Sequence, residues 1–295
     1  MNEEQFEKMQ HGQGFIAALD QSGGSTPRAL RAYGIDDDQY ADDDEMFELM
    51  HAMRSRIIQS PSFSGDDVIG AILFEDTMDR EIDGRASMSY LWDVKRVVPF
   101  LKVDKGLAPD EHGVQVMKPM PDLASVLARA KEKGAFGTKM RSFIKQADSV
   151  GIREVVDQQF AIAGEIADTG LIPILEPEID IHSPQKGAAE ELLKANVLEQ
   201  LARLATGRRV ILKFSLPNVA DFYADVMAHP NVLRVVALSG GYDRQEADAL
   251  LAANHGLIAS FSRALTEGLS VHQTPQEFDA TLKRSIESIR AASLT

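Results

Sequence analysis

Residues 209–217 read RVILKFSLP, an apolar run typical of a buried strand except for Lys213. Burying an ammonium group is costly, so chains usually avoid it or pair it with an acid. Desolvation and neighbouring cations both lower a lysine pKa, and the neutral amine then attacks ketones or aldehydes. We therefore take Lys213 as a candidate Schiff-base lysine, with Lys139 as the second cation. The alternative is a structural lysine that pairs with a glutamate or reaches the rim.

Carbon–carbon cleavage is the chemistry that such an imine supports, because a protonated imine withdraws electrons from a bond β to the former carbonyl carbon. A carboxylate must move protons while the imine forms and must accept the proton of the hydroxyl at the cleaved bond. The stretch EPE supplies Glu176 and Glu178, which point to the same side of a strand. These residues predict a lyase that needs no metal and no cofactor.

Eight β-rich runs alternate with amphipathic helical patterns along the chain. This alternation predicts parallel pairing, and eight units are the number that closes a (β/α)8 barrel. An open doubly wound sheet is the alternative. We expect residues 1–295 to form one α/β barrel domain with a helical insertion after the first strand. The runs span residues 14–20, 68–76, 98–104, 136–142, 171–178, 209–217, 233–240 and 256–263.

Ionisable residues close seven of these eight runs, and the other run ends in SGG. The carboxyl ends of barrel strands meet at one mouth, so these side chains are expected to share a cavity. For any single residue, the alternative is a charge that marks where a strand meets solvent. The strand-end residues are Asp20, Glu75, Asp76, Lys102, Asp104, Lys139, Arg141, Glu176, Glu178, Lys213, Ser239 and Arg263.

The last two runs contain a candidate phosphate site. LSGG supplies Ser239 and the turn at Gly240, and SFSRAL supplies Ser262 and Arg263. Loops after strands seven and eight of barrels frequently bind phosphate, and arginine suits phosphate oxygens. A plain turn is the alternative for SGG alone.

A second candidate anion site follows the first run, in DQSGGSTPR. Ser22 and Ser25 precede a helix start there, and we expect Lys102 and Arg141 to face them across the mouth. A plain helix cap is the alternative for the serines.

Composition narrows the class of partner. The 45 acidic and 31 basic residues leave a net charge of −14, which excludes wrapping of nucleic acid or of an anionic membrane surface. The absence of cysteine excludes disulfides and thiol chemistry. With no secretion signal or membrane-length apolar segment, the sequence indicates a soluble cytoplasmic protein. The acidic clusters at 36–38 and 42–45 suit helix N-termini better than a metal site.

The strand ends taken together resemble those of the class I fructose-1,6-bisphosphate aldolases, which are Schiff-base, metal-independent (β/α)8 barrels. ALDQSGGS, ILFEDT, LKVDKG, TKMRS, EPE, LKFS, LSGG and SRAL follow the family order along nearly the whole chain. The resemblance implies reversible cleavage of fructose 1,6-bisphosphate to dihydroxyacetone phosphate and glyceraldehyde 3-phosphate.

The resemblance also implies a role for each matching residue. Lys213 matches the Schiff-base lysine, and Glu176, with Glu178 beside it, matches the acid/base glutamate. Asp20 matches the aspartate near the reacting hydroxyls, and Lys139 matches the lysine that assists there. The residues matching contacts to the phosphate on carbon 1 are Ser239, Gly240, Ser262 and Arg263. Those matching contacts to the phosphate on carbon 6 are Ser22, Ser25, Lys102 and Arg141.

Two departures from the family pattern stand out. Animal members carry a tyrosine at the end of a flexible tail that takes part in proton transfer, whereas this sequence ends in IRAASLT. Ser262 replaces a glycine, which requires a φ angle there that suits other residues. Short bacterial members share the truncated form. A homo-oligomer remains an alternative to a monomer.

Three other functions are kept as alternatives. A metal-dependent aldolase is disfavoured because the seven histidines form no HxH, HxxH or HExxH pair. A Schiff-base aldolase for another phosphorylated ketose, such as tagatose 1,6-bisphosphate or a monophosphate, keeps the chemistry and changes the substrate. A non-catalytic barrel that binds a phosphorylated sugar would need the phosphate groups but not the buried lysine beside glutamates.

Overall fold

Eight parallel strands form one sheet in chain order in the computed structural model, which describes residues 2–295. The main-chain N–H of Ala18 donates to the carbonyl of Phe261 at 3.0 Å, so the first and last strand segments meet and the sheet is a nearly closed (β/α)8 barrel. The strands are β1 (Phe15–Leu19), β2 (Val68–Leu73), β3 (Val98–Lys102), β4 (Gly137–Ile144), β5 (Ile172–Ile179), β6 (Val210–Ser215), β7 (Val232–Leu238) and β8 (Ile258–Ala259).

Twelve α-helices accompany the barrel in the described part of the chain. They are α1 (Glu3–His11), α2 (Ser25–Tyr33), α3 (Asp43–Gln59), α4 (Glu75–Asp79), α5 (Ser87–Ser89), α6 (Leu123–Glu132), α7 (Ser149–Asp168), α8 (Lys186–Arg203), α9 (Ala224–Met227), α10 (Arg244–Ala252), α11 (Arg263–Thr266) and α12 (Pro275–Ala292). A 3-10 turn (Asp37–Gln39), a π-helical turn (Tyr90–Val94), a hairpin (Glu81–Ile82 with Arg85–Ala86) and a short strand antiparallel to β4 (Val114–Gln115) complete the elements.

Strand residues alternate between two apolar cores. Leu212 and Phe214 of β6 pack with the surrounding helices, whereas Ile211 belongs to the smaller core inside the barrel. Because side chains repeat every two residues along a strand, Lys213 continues the inward column begun by Ile211. Met9 of α1 packs in the inner core as well. The interior is therefore apolar below and charged towards the carboxyl ends of the strands.

The segment between β1 and β2, where the sequence analysis expects a helical insertion, contains α2, the 3-10 turn and α3. Its acidic clusters do cap helices: Asp42 accepts the N–H of Glu45 at 3.0 Å, and Asp36 forms a capping box with Gln39. These caps satisfy amide groups that have no partner inside the helix.

Two predicted strand ends were wrong. The second run leaves the sheet after Leu73, and α4 begins directly at Glu75, so Glu75 and Asp76 lie on a helix. Asp76 turns to Arg80 one helical turn later, at 3.0 Å. In the last run only Ile258–Ala259 pairs as strand, and Arg263 opens the short helix α11. None of the helices within residues 2–295 is long and apolar enough to cross a membrane.

Candidate active site

The carboxyl ends of the strands surround one cavity of about 800 Å³. The thirteen residues to which the sequence analysis gave a catalytic or substrate-binding role all line its wall, although they are spread over more than 240 positions of the chain. They are Asp20, Ser22, Ser25, Lys102, Lys139, Arg141, Glu176, Glu178, Lys213, Ser239, Gly240, Ser262 and Arg263.

Strand periodicity explains how the charged groups reach the cavity. Inner-core residues Ala18, Phe100 and Ile174 are each followed two positions later by a cavity residue, as Ile211 is by Lys213. The same backbone spacing therefore builds an apolar floor and a polar layer above it. The cavity residues of this layer are Asp20, Lys102, Glu176 and Lys213.

Four buried charges form the centre of the cavity. The Lys213 Nζ lies 2.8 Å from Glu176 Oε1, and the other oxygen of Glu176 lies 2.9 Å from Lys139 Nζ. The Lys139 Nζ also lies 2.6 Å from Asp20 Oδ2. Glu176 therefore bridges the two lysines, and Lys213, only 3% exposed, faces the barrel interior with a single acidic partner.

The neighbours of each charged group in the cluster determine whether its pKa is raised or lowered. Burial alone raises the pKa of Asp20, but the ammonium groups of Lys139, Lys213 and Lys102 outweigh it and lower the pKa to about 2. Lys139 and Lys213 also hold the pKa of Glu176 below its usual range, although burial raises it. Burial opposes a charged Lys139, yet Asp20 and Glu176 raise its pKa. Lys139 thus stays an ammonium, which makes it a poor nucleophile.

The pKa of Asp20 predicts a pH-dependent contribution to stability. Its folded-state pKa of about 2 lies below the ordinary 3.8, so ionised Asp20 stabilises the fold above about pH 4 and loses that contribution as the pH falls through about 2. The contribution is about 2 kcal/mol. Urea unfolding measures the free energy of unfolding of the parent and of Asp20→Asn. The parent should be the more stable of the two at neutral pH, and this difference in unfolding free energy should narrow as the pH falls. A difference independent of pH over this window would contradict the prediction.

Two further cations of the wall are already paired with carboxylates. The Lys102 Nζ lies 2.8 Å from Asp104 Oδ1 and also donates to the Asp104 carbonyl at 3.1 Å. Arg141 Nε pairs with Glu178, whose carboxylate is therefore directed along the rim. Asp104 Oδ2 accepts the main-chain N–H of Arg141 at 3.2 Å, which ties the ends of β3 and β4 together.

The loops after β7 and β8 form an open, positively charged corner. Gly240 has a φ of 63°, and a Cβ there would meet Ile181 at 2.5 Å, so only glycine fits this turn. Ser262 has a φ of −111°, which suits a non-glycine residue as the replacement requires. A Cβ on Gly241 would lie 3.6 Å from Arg263 Nη2. Within residues 2–295, no carboxylate lies within 4 Å of the Arg263 guanidinium.

The two serines of DQSGGSTPR, in the loop after β1, are engaged with each other. The Ser25 hydroxyl accepts from the Ser22 N–H at 3.0 Å and donates to the Ser22 carbonyl at 2.8 Å, which closes the turn before α2. It does not cap the helix, whose N-cap residue is Gly24. Two cations that the sequence analysis missed, Arg28 and Lys118, also line the cavity. Neither has a carboxylate within 4 Å in the part of the chain that the structure describes. No sequence motif marks them, because their position depends on how the loops fold over the mouth.

Gln21 and Arg54 are the other residues that the sequence analysis missed. Gln21 lies on the cavity wall and donates from its side-chain amide to Ser262 Oγ at 2.7 Å. Arg54 is buried behind it on α3. The sequence did contain a sign that Arg54 is buried, because Arg54 falls on the apolar face of the helix formed by Met50, Met53 and Ile57.

No three His, Asp or Glu side chains within residues 2–295 are grouped so that they could hold a metal ion. Cation–carboxylate pairs instead account for most acidic groups of the cavity wall.

Comparison with known proteins gives a consistent result. The family model described as fructose-bisphosphate aldolase class-I matches residues 4–218. A fructose-bisphosphate aldolase class 1 from Synechocystis sp. is 57% identical over 294 residues, covering 100% of this chain and 98% of the relative. One from Porphyromonas gingivalis is 54% identical over 294 residues, covering 100% of both chains. The solved fructose-bisphosphate aldolase from Plasmodium falciparum shares the fold with a TM-score of 0.79 at 21% identity, covering 99% of this chain and 94% of that one.

Proposed function

Because the chain belongs to the class I fructose-bisphosphate aldolase family, we propose that Lys213 is the amine that forms the Schiff base with the substrate. Members of this family are lyases that split fructose 1,6-bisphosphate into dihydroxyacetone phosphate and glyceraldehyde 3-phosphate. The chain matches its relatives over its whole length and has this activity. The assignment of individual residues to steps of the reaction rests on the geometry of the cavity.

One observation carries the assignment of Lys213. Of the two lysines that Glu176 bridges, Lys139 is held by two carboxylates and Lys213 by one. Lys139 therefore remains an ammonium that steadies the two acids. Lys213 is the lysine whose proton can pass to Glu176 at 2.8 Å without leaving a second carboxylate unpaired. A neutral amine at this position faces the cavity and can attack the carbonyl at carbon 2 of the open-chain ketose.

Glu176 is the acid/base group of the proposed mechanism. After the Lys213 nitrogen adds to carbon 2, the carbinolamine must lose its hydroxyl as water, and Glu176 is placed to supply the proton. The bond between carbons 3 and 4 then breaks, and its electron pair moves to form the enamine as the iminium loses its charge. The proton of the hydroxyl on carbon 4 passes to a carboxylate, and glyceraldehyde 3-phosphate leaves.

Asp20, Lys139 and Glu178 are assigned supporting roles. Asp20 keeps its negative charge throughout the neutral range, so it can accept hydrogen bonds from substrate hydroxyls beside the reacting carbons. Lys139 holds Asp20 and Glu176 in place from below. Glu178 fixes the Arg141 guanidinium at the rim, and it lies beside Glu176 on the same strand.

The corner at Arg263 is proposed as the site of the phosphate on carbon 1. Arg263 has a free guanidinium, Gly240 gives close access to main-chain N–H groups, and Ser239 lies at the end of β7. Phosphate oxygens bind such arrangements through charge-assisted hydrogen bonds. Ser262 borders the same corner as the residue before α11.

Arg263→Ala is expected to raise KM for fructose 1,6-bisphosphate by roughly 10- to 100-fold, since a hydrogen bond to a charged group is worth about 1.5–3 kcal/mol. Thermal stability should change little, because the guanidinium has no carboxylate partner to lose. Steady-state kinetics and a melting curve measure both. Arg284→Ala, an exposed change on α12, is the control. An unchanged KM in Arg263→Ala would remove this corner from the binding site.

For the phosphate on carbon 6 we propose a site bounded by Ser22, Ser25, Lys102 and Arg141, with Arg28 and Lys118 as the free cations. Lys102 and Arg141 are held by Asp104 and Glu178, so their charges are largely balanced before substrate arrives. Unpaired cations need no carboxylate to be displaced before they meet a phosphate. The two sites together favour a bisphosphate.

Arg28→Ala and Lys118→Ala should each raise KM for fructose 1,6-bisphosphate by about 10-fold and leave KM for fructose 1-phosphate nearly unchanged. The reason is that the monophosphate lacks the group these cations meet. Kinetics with both substrates measure the ratio of the two KM values, and Arg263→Ala, which should impair both substrates, is the internal reference. Equal effects on the two substrates would place Arg28 and Lys118 outside the second phosphate site.

We further propose a metal-independent, cytoplasmic enzyme formed by one domain. Sodium borohydride reduces an imine irreversibly, so it should inactivate the enzyme only when substrate is present, and EDTA should leave cleavage unaffected. Loss of activity in EDTA that zinc restores would favour the metal-dependent alternative. Activity on tagatose 1,6-bisphosphate exceeding that on fructose 1,6-bisphosphate would favour the other ketose.

A further inference from the structure

Arg54 is a fully buried cation that the catalytic scheme leaves without a role. It lies on α3 at 1% exposure, and no carboxylate within residues 2–295 comes within 4 Å of its guanidinium. Burying an unpaired charge costs several kcal/mol, so such a group needs a compensating function. Its Nε has no hydrogen-bond partner among the described residues. A methionine of similar volume would fill the same space at lower cost.

The guanidinium connects three segments at the mouth of the barrel. Arg54 Nη1 donates to Thr77 Oγ1 of α4 at 2.7 Å, and Nη2 donates to the main-chain carbonyl of Gln21. Gln21 in turn donates to Ser262 Oγ at 2.7 Å. The residue before Gln21 is Asp20, and the residue after Ser262 is Arg263. One buried cation thus lies behind both the central carboxylate and the proposed carbon 1 phosphate corner.

We infer that Arg54 is a positioning residue for the aldol cleavage, which holds the Asp20–Gln21 peptide and, through the Gln21 amide, the Ser262–Arg263 turn. The inference rests on the roles proposed above for Asp20 and Arg263. Without Arg54, the Gln21 carbonyl loses a charged donor, and the first residue beyond β1 is free to rotate. Asp20 then shifts relative to Lys139 and to the substrate hydroxyls.

The charge of Arg54 supports a positioning role beside Asp20. Burial lowers the pKa of Arg54 to about 10, and attraction to Asp20 and then to Asp76 opposes the fall. The guanidinium therefore remains charged at neutral pH and acts on Asp20 together with Lys139. Its charge reaches the cavity although its side chain does not line it.

Arg54→Met, compared with Arg56→Met, tests the inference. Arg56 lies two residues away on α3, and its guanidinium binds Tyr33, Gln273 and the face of Phe278. It does not line the cavity. We expect Arg54→Met to lower kcat roughly 10- to 100-fold, the loss that a misplacement of about 1 Å produces. Arg56→Met should lower the melting temperature and keep kcat. A purely structural Arg54 would behave like Arg56, with parental kcat in the folded protein.

Thr77→Val is the second variant and decides the outcome if Arg54→Met does not fold. It removes the hydrogen-bond partner of Nη1 and keeps the charge and shape of the site, so kcat of the folded protein should fall about 3- to 10-fold. The melting temperature should fall as well, because a buried charged donor loses its partner. Parental kcat in Thr77→Val would overturn the inference. Borohydride labelling of the parent separates the two proposals, because failure to label Lys213 there would contradict its catalytic role whatever Arg54 does.

Discussion

Lys213→Met is expected to abolish cleavage of fructose 1,6-bisphosphate, lowering kcat on the order of 10⁴-fold or more, as removal of a covalent nucleophile does in other enzymes. Methionine keeps the length and apolar stem of lysine, so the inward column above Ile211 stays packed. Glu176 keeps Lys139 as a cationic partner at 2.9 Å. The loss should therefore appear in kcat, with the folded state preserved by circular dichroism.

Lys186→Met is the matched control for this change. Lys186 is another buried lysine, 4% exposed, but it lies outside the cavity and binds Glu190, the Leu216 carbonyl and Asn218. Breaking that buried pair should cost about 3–5 kcal/mol of unfolding free energy while leaving kcat of the folded protein close to the parent. Should Lys213→Met retain a tenth of the parental kcat, Lys213 is not the nucleophile.

Glu176→Gln is expected to lower kcat by about 10²- to 10⁴-fold, the usual contribution of a general acid/base. Glutamine has the size of glutamate and can still accept a hydrogen bond from Lys213, but it neither takes nor returns a proton at neutral pH. Imine formation should become the slow step. Single-turnover reactions quenched with borohydride at increasing times measure that step directly.

Glu190→Gln provides the comparison for Glu176. Glu190 is a buried glutamate, 1% exposed and paired with Lys186 at 2.5 Å, and it does not line the cavity. Its substitution should reduce stability and spare the rate of imine formation. Were Glu176→Gln to form the imine as fast as the parent, the proton transfer would have to be assigned to another carboxylate.

The sequence was sufficient to predict the barrel and the residues of its mouth because both depend on local spacing. Strand periodicity places Lys213 two residues beyond Ile211, and the same rule places Glu176 beyond Ile174. Parallel strands in chain order then bring their carboxyl ends together. The positions of Lys213 and Glu176 could therefore be predicted from the alternation of side chains along a strand and from the order of the strands.

Features that depend on tertiary packing were not predictable in the same way. Glu75 was expected at a strand end but lies on α4, because the chain leaves the sheet at Phe74. Whether a cation is free or paired depends on which side chains pack beside it in the fold. The sequence therefore did not show that Lys102 is paired with a carboxylate and that Arg28 has no such partner within residues 2–295. Arg54 interrupts an apolar stripe, but its partner Gln21 is 33 positions away.

Peptide mass mapping after borohydride reduction in the presence of fructose 1,6-bisphosphate tests the central assignment most directly. We predict one modified peptide, carrying the reduced dihydroxyacetone phosphate adduct on Lys213, with Lys139 and Lys102 unmodified. An adduct on a different lysine, or an active preparation in which no lysine is labelled, would contradict the assignment of Lys213 as the Schiff-base residue.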